Sequence, residues 1–405
     1  MLAFVTGWCV ALGGTTALDT LGSQAFTGGN AKDLSVHFQR CIVLLWILFI
    51  PVGAFWWFSE PILLALGQSA LLSRDVQTFL RVLIIGAPGY IGFESLKKYL
   101  QCQGIMGAST AVLVFIFPIN IGLNIVLVHY TTLGIIGSPV ALSLTYWLCF
   151  GLLSLWTLSS SAHRQNATWD GFQLSAIFHP RSCYLFVKLA IPGILMVGTE
   201  WAAFEIVALA AGRLGSLPLA AQSVIMTTDQ RVAASARVGN LIGAKSPTGA
   251  KNAAHTSALI SVVVGLVVMI VMMATKDVYG YLFSDDVDVV KLVARVMPLV
   301  ASFQVADGLA GSCGGVLRGQ GRQHLGALFN CVAYYILALP LGITLAFSPR
   351  TALGLQGLWI GQVVALFIVG FGEYYVVWRS DWELEIRRGA ERNEEEAKRR
   401  LRLNM

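Results

Sequence analysis

YLFVKLAIPGILMVGTEWAAFEIVALAA, residues 184–211, decides the fold class. Apart from Lys188 and the two glutamates, Glu200 and Glu205, the stretch is apolar or small. It exceeds the roughly 20 residues that carry a helix across about 30 Å of hydrocarbon. Comparable runs recur, and the whole chain of 405 residues is 56% apolar and only 12% charged. A soluble domain carries about 25% charged residues. The period-2 alternation of a β-barrel is absent, and only helices or closed barrels satisfy a backbone in lipid. The expected fold class is therefore an all-α polytopic membrane protein, a multi-pass integral protein whose first partner is the lipid bilayer.

Eleven transmembrane helices are expected, at 2–25, 40–58, 77–100, 108–128, 135–158, 185–211, 217–240, 254–275, 289–316, 325–347 and 353–378. The weakest is 217–240, where Asp229, Gln230 and Arg231 interrupt the centre. A central charge costs at least about 2.5 kcal/mol. Four regions follow: a first lobe at 1–158, a cytoplasmic loop at 159–184, a second lobe at 185–378 and a charged cytoplasmic tail at 379–405. Lys32, Arg40, Lys97, Lys98, Arg164, Arg181, Lys245, Lys251, Arg318 and Arg322 fall in one set of alternate loops. Arg74, Arg213, Lys276, Lys291 and Arg350 fall in the other. The richer set is assigned to the cytoplasm, so the net charge of +6 reports orientation and not nucleic acid. The seven cysteines fall in spans or cytoplasmic loops and imply no disulfide framework. The start at Met1 shows no basic leader.

The halves echo each other. YLQCQG (99–104) matches VLRGQG (316–321), LGIIG (133–137) matches LGLQG (353–357), and LRV (80–82) more weakly matches ARV (294–296). The near-constant offset returns the chain to the same side of the membrane and predicts a parallel repeat of two helical bundles with a cleft between them.

Acids inside spans usually face a cavity and mark an ion or substrate path. Glu200 lies mid-span. Glu205 is five residues on, about 7.5 Å along the axis and about 140° round it, so the two do not share a stripe. One faces a cavity while the other meets a neighbouring helix. Asp307, flanked by Gly308, Gly311, Gly314 and Gly315, is the other deep acid. A structural hydrogen bond to a neighbouring helix is the alternative reading of each; Glu200 and Asp307 together point to a shared acidic cavity. Glu94, with Lys97 and Lys98 at i+3 and i+4, reads as an ion pair. Asp19, near a span end, reads as a cap or gate, Glu373 lies one turn from the cytoplasmic end, and a structural role is the expectation for all three acids. Aromatics beside buried carboxylates suit organic cations, and Trp201, Phe204 and Tyr334 are the candidates. GNLIGAKS (239–246) has the wrong glycine spacing for a P-loop. The sequon Asn166-Ala167-Thr168 falls in a loop placed in the cytoplasm. No metal site and no nucleophile–base constellation is evident, so no enzyme is expected. The tail, with Glu394, Glu395 and Glu396 four residues before Lys398, Arg399 and Arg400, reads as a solvated helix.

ALDTLGSQAF (17–26), YLQCQG, KLAIPGILMVGTEWAAFE (188–205), LAAQS (219–223), AASARVGNLIGA (233–244), GGVLRGQGRQ (314–323), NCVAYYILALPLG (330–342) and LGLQGLW (353–359) together resemble the multidrug and toxin extrusion (MATE) family, its eukaryotic branch in particular. The resemblance implies two lobes and export of organic cations or other drugs in exchange for protons, with sodium as the alternative ion and no cofactor. It places the coupling acids at Glu200, Glu205 and Asp307. Trp201, Phe204, Tyr334 and Asn330 are the candidate cavity residues. The chain departs from the family pattern at its start, where the first helix is lacking. It departs again between Gln230 and Arg231, where the eighth helix is shortened. A transport-incompetent member is therefore the alternative, and a flippase for lipid-linked substrates the other rival. A monomer in the plasma or vacuolar membrane is expected.

Overall fold

The computed structural model describes residues 2–65, 68–226 and 234–403. Nine of the described helices are long and apolar enough to cross a membrane. They are α2 (Asp33–Trp57), α3 (Ala70–Cys102), α4 (Gly107–His129), α5 (Gly137–Ser159), α6 (Pro180–Leu214), α9 (Pro247–Thr275), α10 (Val287–Gln320), α11 (Gln323–Phe347) and α12 (Leu355–Trp378). Between and around them lie α1 (Thr16–Thr27), α7 (Ser216–Ile225), α8 (Ser235–Gly243) and the tail helix α13 (Trp382–Leu403). The protein is an all-α, multi-pass integral membrane protein. Its outer apolar side chains fit a lipid surround: Val114 and Phe117 of α4 are 70% and 68% exposed.

Two of the eleven expected spans are not continuous. The span expected at 2–25 is a π-helical turn (Phe4–Trp8), a short helix (Cys9–Gly14) and then α1. The break at Thr15 has a local cause. Thr15 Oγ1 donates to Leu12 O at 3.1 Å and Thr16 Oγ1 to Gly13 O at 2.5 Å, and hydroxyls that bond back to the preceding turn bend helices. The span expected at 217–240 begins as α7 and ends as α8. Asp229, Gln230 and Arg231, with the shortening placed there, lie outside the described residues.

The chain forms two compact units, Met1–Ile194 with Ala390–Met405, and Leu195–Gly389. The division falls inside α6 and not in the polar loop. Each unit repeats the same helix–turn–helix–turn–helix path, α3–α4–α5 in the first and α10–α11–α12 in the second. Ser69 caps the start of α3 by accepting from Leu72 N, and Asp286 caps α10 by accepting from Asp288 N. Past the ends of these helices, Gly104 (φ +77°) and Gly321 (φ +82°) take the left-handed conformation that favours glycine. Gly134 (φ +52°) and Gly354 (φ +55°) do the same ahead of α5 and α12. The QG and LG pairs of the repeat are thus turn chemistry. The Gly137 backbone packs on Leu127, and the Gly357 backbone on Leu345 and Ala346, so that no Cβ fits at either glycine.

In the first unit, Trp8, Phe49, Trp56, Leu80 and Leu83 form part of the core, with Tyr90 and Tyr146 against it. The loop between α5 and α6 is folded onto this unit. Arg40 donates from Nη2 to Ala176 O at 2.7 Å and from Nε to Ile177 O at 3.2 Å. Tyr99 Oη and Thr168 Oγ1 are 2.6 Å apart. The tail is not solvated all round. Asn393 donates to Gln24 O at 2.8 Å, and Glu396 meets Arg40 at 3.1 Å and accepts from Ser182 Oγ at 2.8 Å. The Glu395–Arg399 pair forms as expected, at 2.6 Å. The Arg400 side chain lies outside the described residues. The charge spacing predicted a helix, but the partners on the other elements are far away in sequence.

Candidate functional site

α6 carries both glutamates, and Pro192 sits inside it. A proline there removes one intrahelical hydrogen bond. Two residues of α11 hold the following turns: Asn330 Nδ2 donates to Met196 O at 2.7 Å and Tyr335 Oη to Thr199 O at 2.9 Å. Side-chain bonds between helices of this kind fix their register in lipid. The segment Cys331–Ala338 of α11 is π-helical, a conformation frequent at functional sites.

Glu200 and Asp307 line one narrow cavity. α6 supplies Glu200, Trp201 and Phe204, α7 ends on it with Ile225 and Met226, α10 supplies Val300, Phe303, Gln304 and Asp307, and α12 supplies Trp359. Asp307 is buried and Glu200 half-buried. Close approach of α9 to α10 sets the depth of Asp307. A Cβ at Gly308 would lie 2.8 Å from Ser261 O, and one at Gly265 would lie 2.8 Å from the Val305 Cα.

The apolar wall is a chain of rings. Trp201 and Phe204 have centroids 6.3 Å apart, Phe204 and Phe303 5.7 Å, and Phe303 and Trp359 5.7 Å. Trp359 Nε1 donates to Gln222 Oε1 at 2.7 Å, which fixes the indole. Two carboxylates facing faces and edges of aromatic rings make a setting for a positively charged organic molecule: the acids supply the counter-charge and the rings the dispersion and quadrupole attraction.

The expected residues divide. Glu200, Asp307, Trp201 and Phe204 come together on the cavity. Tyr334 is fully buried behind Phe204, at 6.2 Å between centroids, and Asn330 is engaged with the Met196 carbonyl. These two buttress the wall and do not form it. Glu205 is half-buried and is not among the lining residues, as its angular separation from Glu200 requires. Phe303, Gln304 and Trp359 went unselected in the sequence, because an apolar or amide side chain in a span carries no signal of the face it occupies.

Glu373, one turn from the expected cytoplasmic end of its span, is fully buried. Among the charges of the first unit, Lys97 pairs with Glu94, while Lys98 turns to Asp19, with Nζ 3.0 and 2.9 Å from its carboxylate oxygens.

The family model MatE matches residues 1–126 and 192–344. An uncharacterised transporter of Schizosaccharomyces pombe is 37% identical over 95% of this chain and 72% of its own length. Multidrug and toxin extrusion protein 1 of Homo sapiens is 35% identical over 89% of this chain, which spans 64% of the human protein. Among solved structures, the eukaryotic MATE transporter AtDTX14 superposes with a TM-score of 0.87 at 30% identity, covering 97% of this chain and 88% of that one.

Proposed function

The chain belongs to the MatE family of multidrug and toxin extrusion transporters, and from that premise we propose that it exports organic cations in exchange for protons by alternating access. The observation that carries this reading is the convergence of Glu200 and Asp307 on one aromatic-walled cavity. Glu200 and Asp307 attract the cation, Trp201, Phe204, Phe303 and Trp359 take its apolar surface, and the cation and a proton compete for Glu200. A proton arriving from the acidic side expels the cation, and loss of the proton on the other side restores the site. Only a ligand with different affinities for the two states can drive such a cycle, and protonation of Glu200 supplies that difference. Glu205, on the other side of α6, tunes the helix and does not touch the cation.

The test is uptake of a fluorescent organic cation into proteoliposomes with an imposed pH gradient, comparing the chain with Glu200→Gln. Gradient-dependent uptake is expected from the chain and a loss of about 100-fold or more from the variant, equal to about 2.7 kcal/mol of coupling. Uptake that follows a sodium gradient and ignores pH would overturn the proton reading.

A further inference from the structure

A second acid of the same unit stands apart from the cavity. Glu373 lies in α12, 0% exposed, and neither of its carboxylate oxygens has a hydrogen-bond partner among the described residues. Burial of a polar group without a partner is costly, so an acid retained in this way needs a reason.

The space around it is built from elsewhere in the chain. A Cβ at Gly314 would run into the Met196 methyl and lie 3.2 Å from Glu373 Oε2. One at Gly326 would lie 2.7 Å from the Met196 sulfur and 3.0 Å from Glu373 Oε1. Two glycines, one in GGVLRGQG and one in α11, thus leave room for a carboxyl group. The Arg318 guanidinium borders the same space, with Nη1 3.5 Å from that Gly314 Cβ position and 3.9 Å from the Met196 sulfur.

Met196 connects this pocket to the cavity. It sits four residues before Glu200 on α6, about one turn or 6 Å along the axis. Glu373 is within electrostatic reach of both Arg318 and Glu200. The titratable and charged groups near enough to act on it are Arg318 and Cys313 of α10 and Glu200 of α6. α9 places His255 against the neighbouring Tyr374, with ring centroids 6.0 Å apart. α11 contributes Gly326.

We propose that Glu373 is a second proton-holding residue of the transport cycle, exchanging its proton with Glu200 while Arg318 supplies the counter-charge. When an organic cation binds, the proton leaves a Glu200 oxygen and is taken by a Glu373 oxygen. Glu200 becomes the anion that the cation neutralises, and Glu373 becomes the neutral acid. When the cation leaves on the acidic side, a proton from that side takes its place on Glu200, while Glu373 releases its proton to the opposite side and is left as a carboxylate facing Arg318. No net charge is created in the unit at either step beyond that of the cation itself. The inference rests on the proton-coupled reading above.

The experiment uses the full chain, purified and reconstituted, as Glu373→Gln, Glu373→Asp and Glu200→Gln. Three quantities are measured: binding of a fluorescent organic cation in detergent, its exchange against the same cation without a gradient, and its uptake driven by a pH gradient. Glu373→Gln cannot accept a proton. It is expected to bind within about threefold of the unsubstituted chain, to keep cation–cation exchange, and to lose gradient-driven uptake by about tenfold or more. Glu373→Asp keeps a titrating group one methylene away and is expected to retain driven uptake with its pH profile displaced by about one unit. Driven uptake by Glu373→Gln with the original pH profile would overturn the proposal. If Glu373→Gln does not fold, Glu373→Asp decides, and an undisplaced profile overturns it. Glu200→Gln separates the two claims. If it too keeps gradient dependence, the assignment of the coupling proton to Glu200 fails; if it loses it while Glu373→Gln does not, only the role of Glu373 falls.

Discussion

The first unit and the second unit treat buried acids differently. In the first, three deep carboxylates meet cations: Asp19 meets Lys98 and Glu396 meets Arg40 across the chain, and Glu94 meets Lys97 one turn along its own helix. In the second, Glu385 is paired with Arg388 and Arg322, but Glu200 and Asp307 are gathered on one cavity, and neither Glu373 oxygen has a hydrogen-bond partner among the described residues. The Coulomb attraction of a paired acid is already satisfied by its partner, so the pair fixes helices in place. An acid that lines a cavity can also act on something that arrives. The same residue type therefore holds the first unit together and gives the second its chemistry.

The strongest way to break this contrast lies in the first unit. Lys98→Met takes the cation from the Asp19 carboxylate, which is 0% exposed. Removing one partner of a buried pair costs about 3–5 kcal/mol, and replacing both is often near neutral. Thermal unfolding in detergent should show a large loss for Lys98→Met and recovery of most of it in Lys98→Met with Asp19→Leu. A double variant as unstable as the single one would show that the pair is not the source of the effect.

A smaller effect is expected at Glu396. Burial pushes its carboxyl up, but His37, Arg40 and the Ser182 hydroxyl more than offset that and leave it below the usual carboxylate range. A group depressed on folding contributes stability that is present above its unfolded value and is lost as pH falls through its folded value. Protection of the tail from proteolysis should therefore hold near neutrality and fall away in acid, below the ordinary carboxylate value of about 4.5. In Glu396→Gln that acid-dependent loss should disappear, with tail protection already reduced at pH 7. Tail protection that is independent of pH in the unsubstituted chain would place the docking energy elsewhere.

The smallest effect sharpens the contrast inside α6. Glu205→Gln, away from the cavity, should change cation uptake by less than about tenfold and stability by no more than about 0.5 kcal/mol. A loss as large as that of Glu200→Gln would move Glu205 into the machinery.

The legible part of this molecule was whatever contrasts with hydrocarbon along a single helix. Glu200 and Asp307 stand out in that way, and so did the turn glycines, since Gly104 and Gly321 recur at matching positions in the two halves. The fold class and nine of the spans followed from apolar length alone. The less legible part depends on what a neighbouring helix offers. Glu373 lies near a helix end, where an acid is ordinarily wetted; its burial depends on Gly314 and Gly326, two small residues that carry no label in the sequence. The same reason hid Lys98, whose local spacing pointed to Glu94 while its partner Asp19 is 79 residues away. Tyr334 and Asn330 were chosen by type and lie one layer behind the cavity wall, a distinction that spacing does not encode.

The folded loop after α5 has a consequence for how this protein can be labelled. Thr168, whose hydroxyl completes the Asn166-Ala167-Thr168 sequon, is sealed at 0% exposure against Tyr99. The intervening Ala167 is held in the left-handed conformation, and Asn166 Nδ2 donates to Gln103 Oε1 at 3.3 Å. A glycosyltransferase needs that tripeptide extended and accessible. Sugar at Asn166 would therefore require the enzyme to arrive before the loop closed, so the lack of a glycan here is a poor reporter of which side of the membrane the loop occupies.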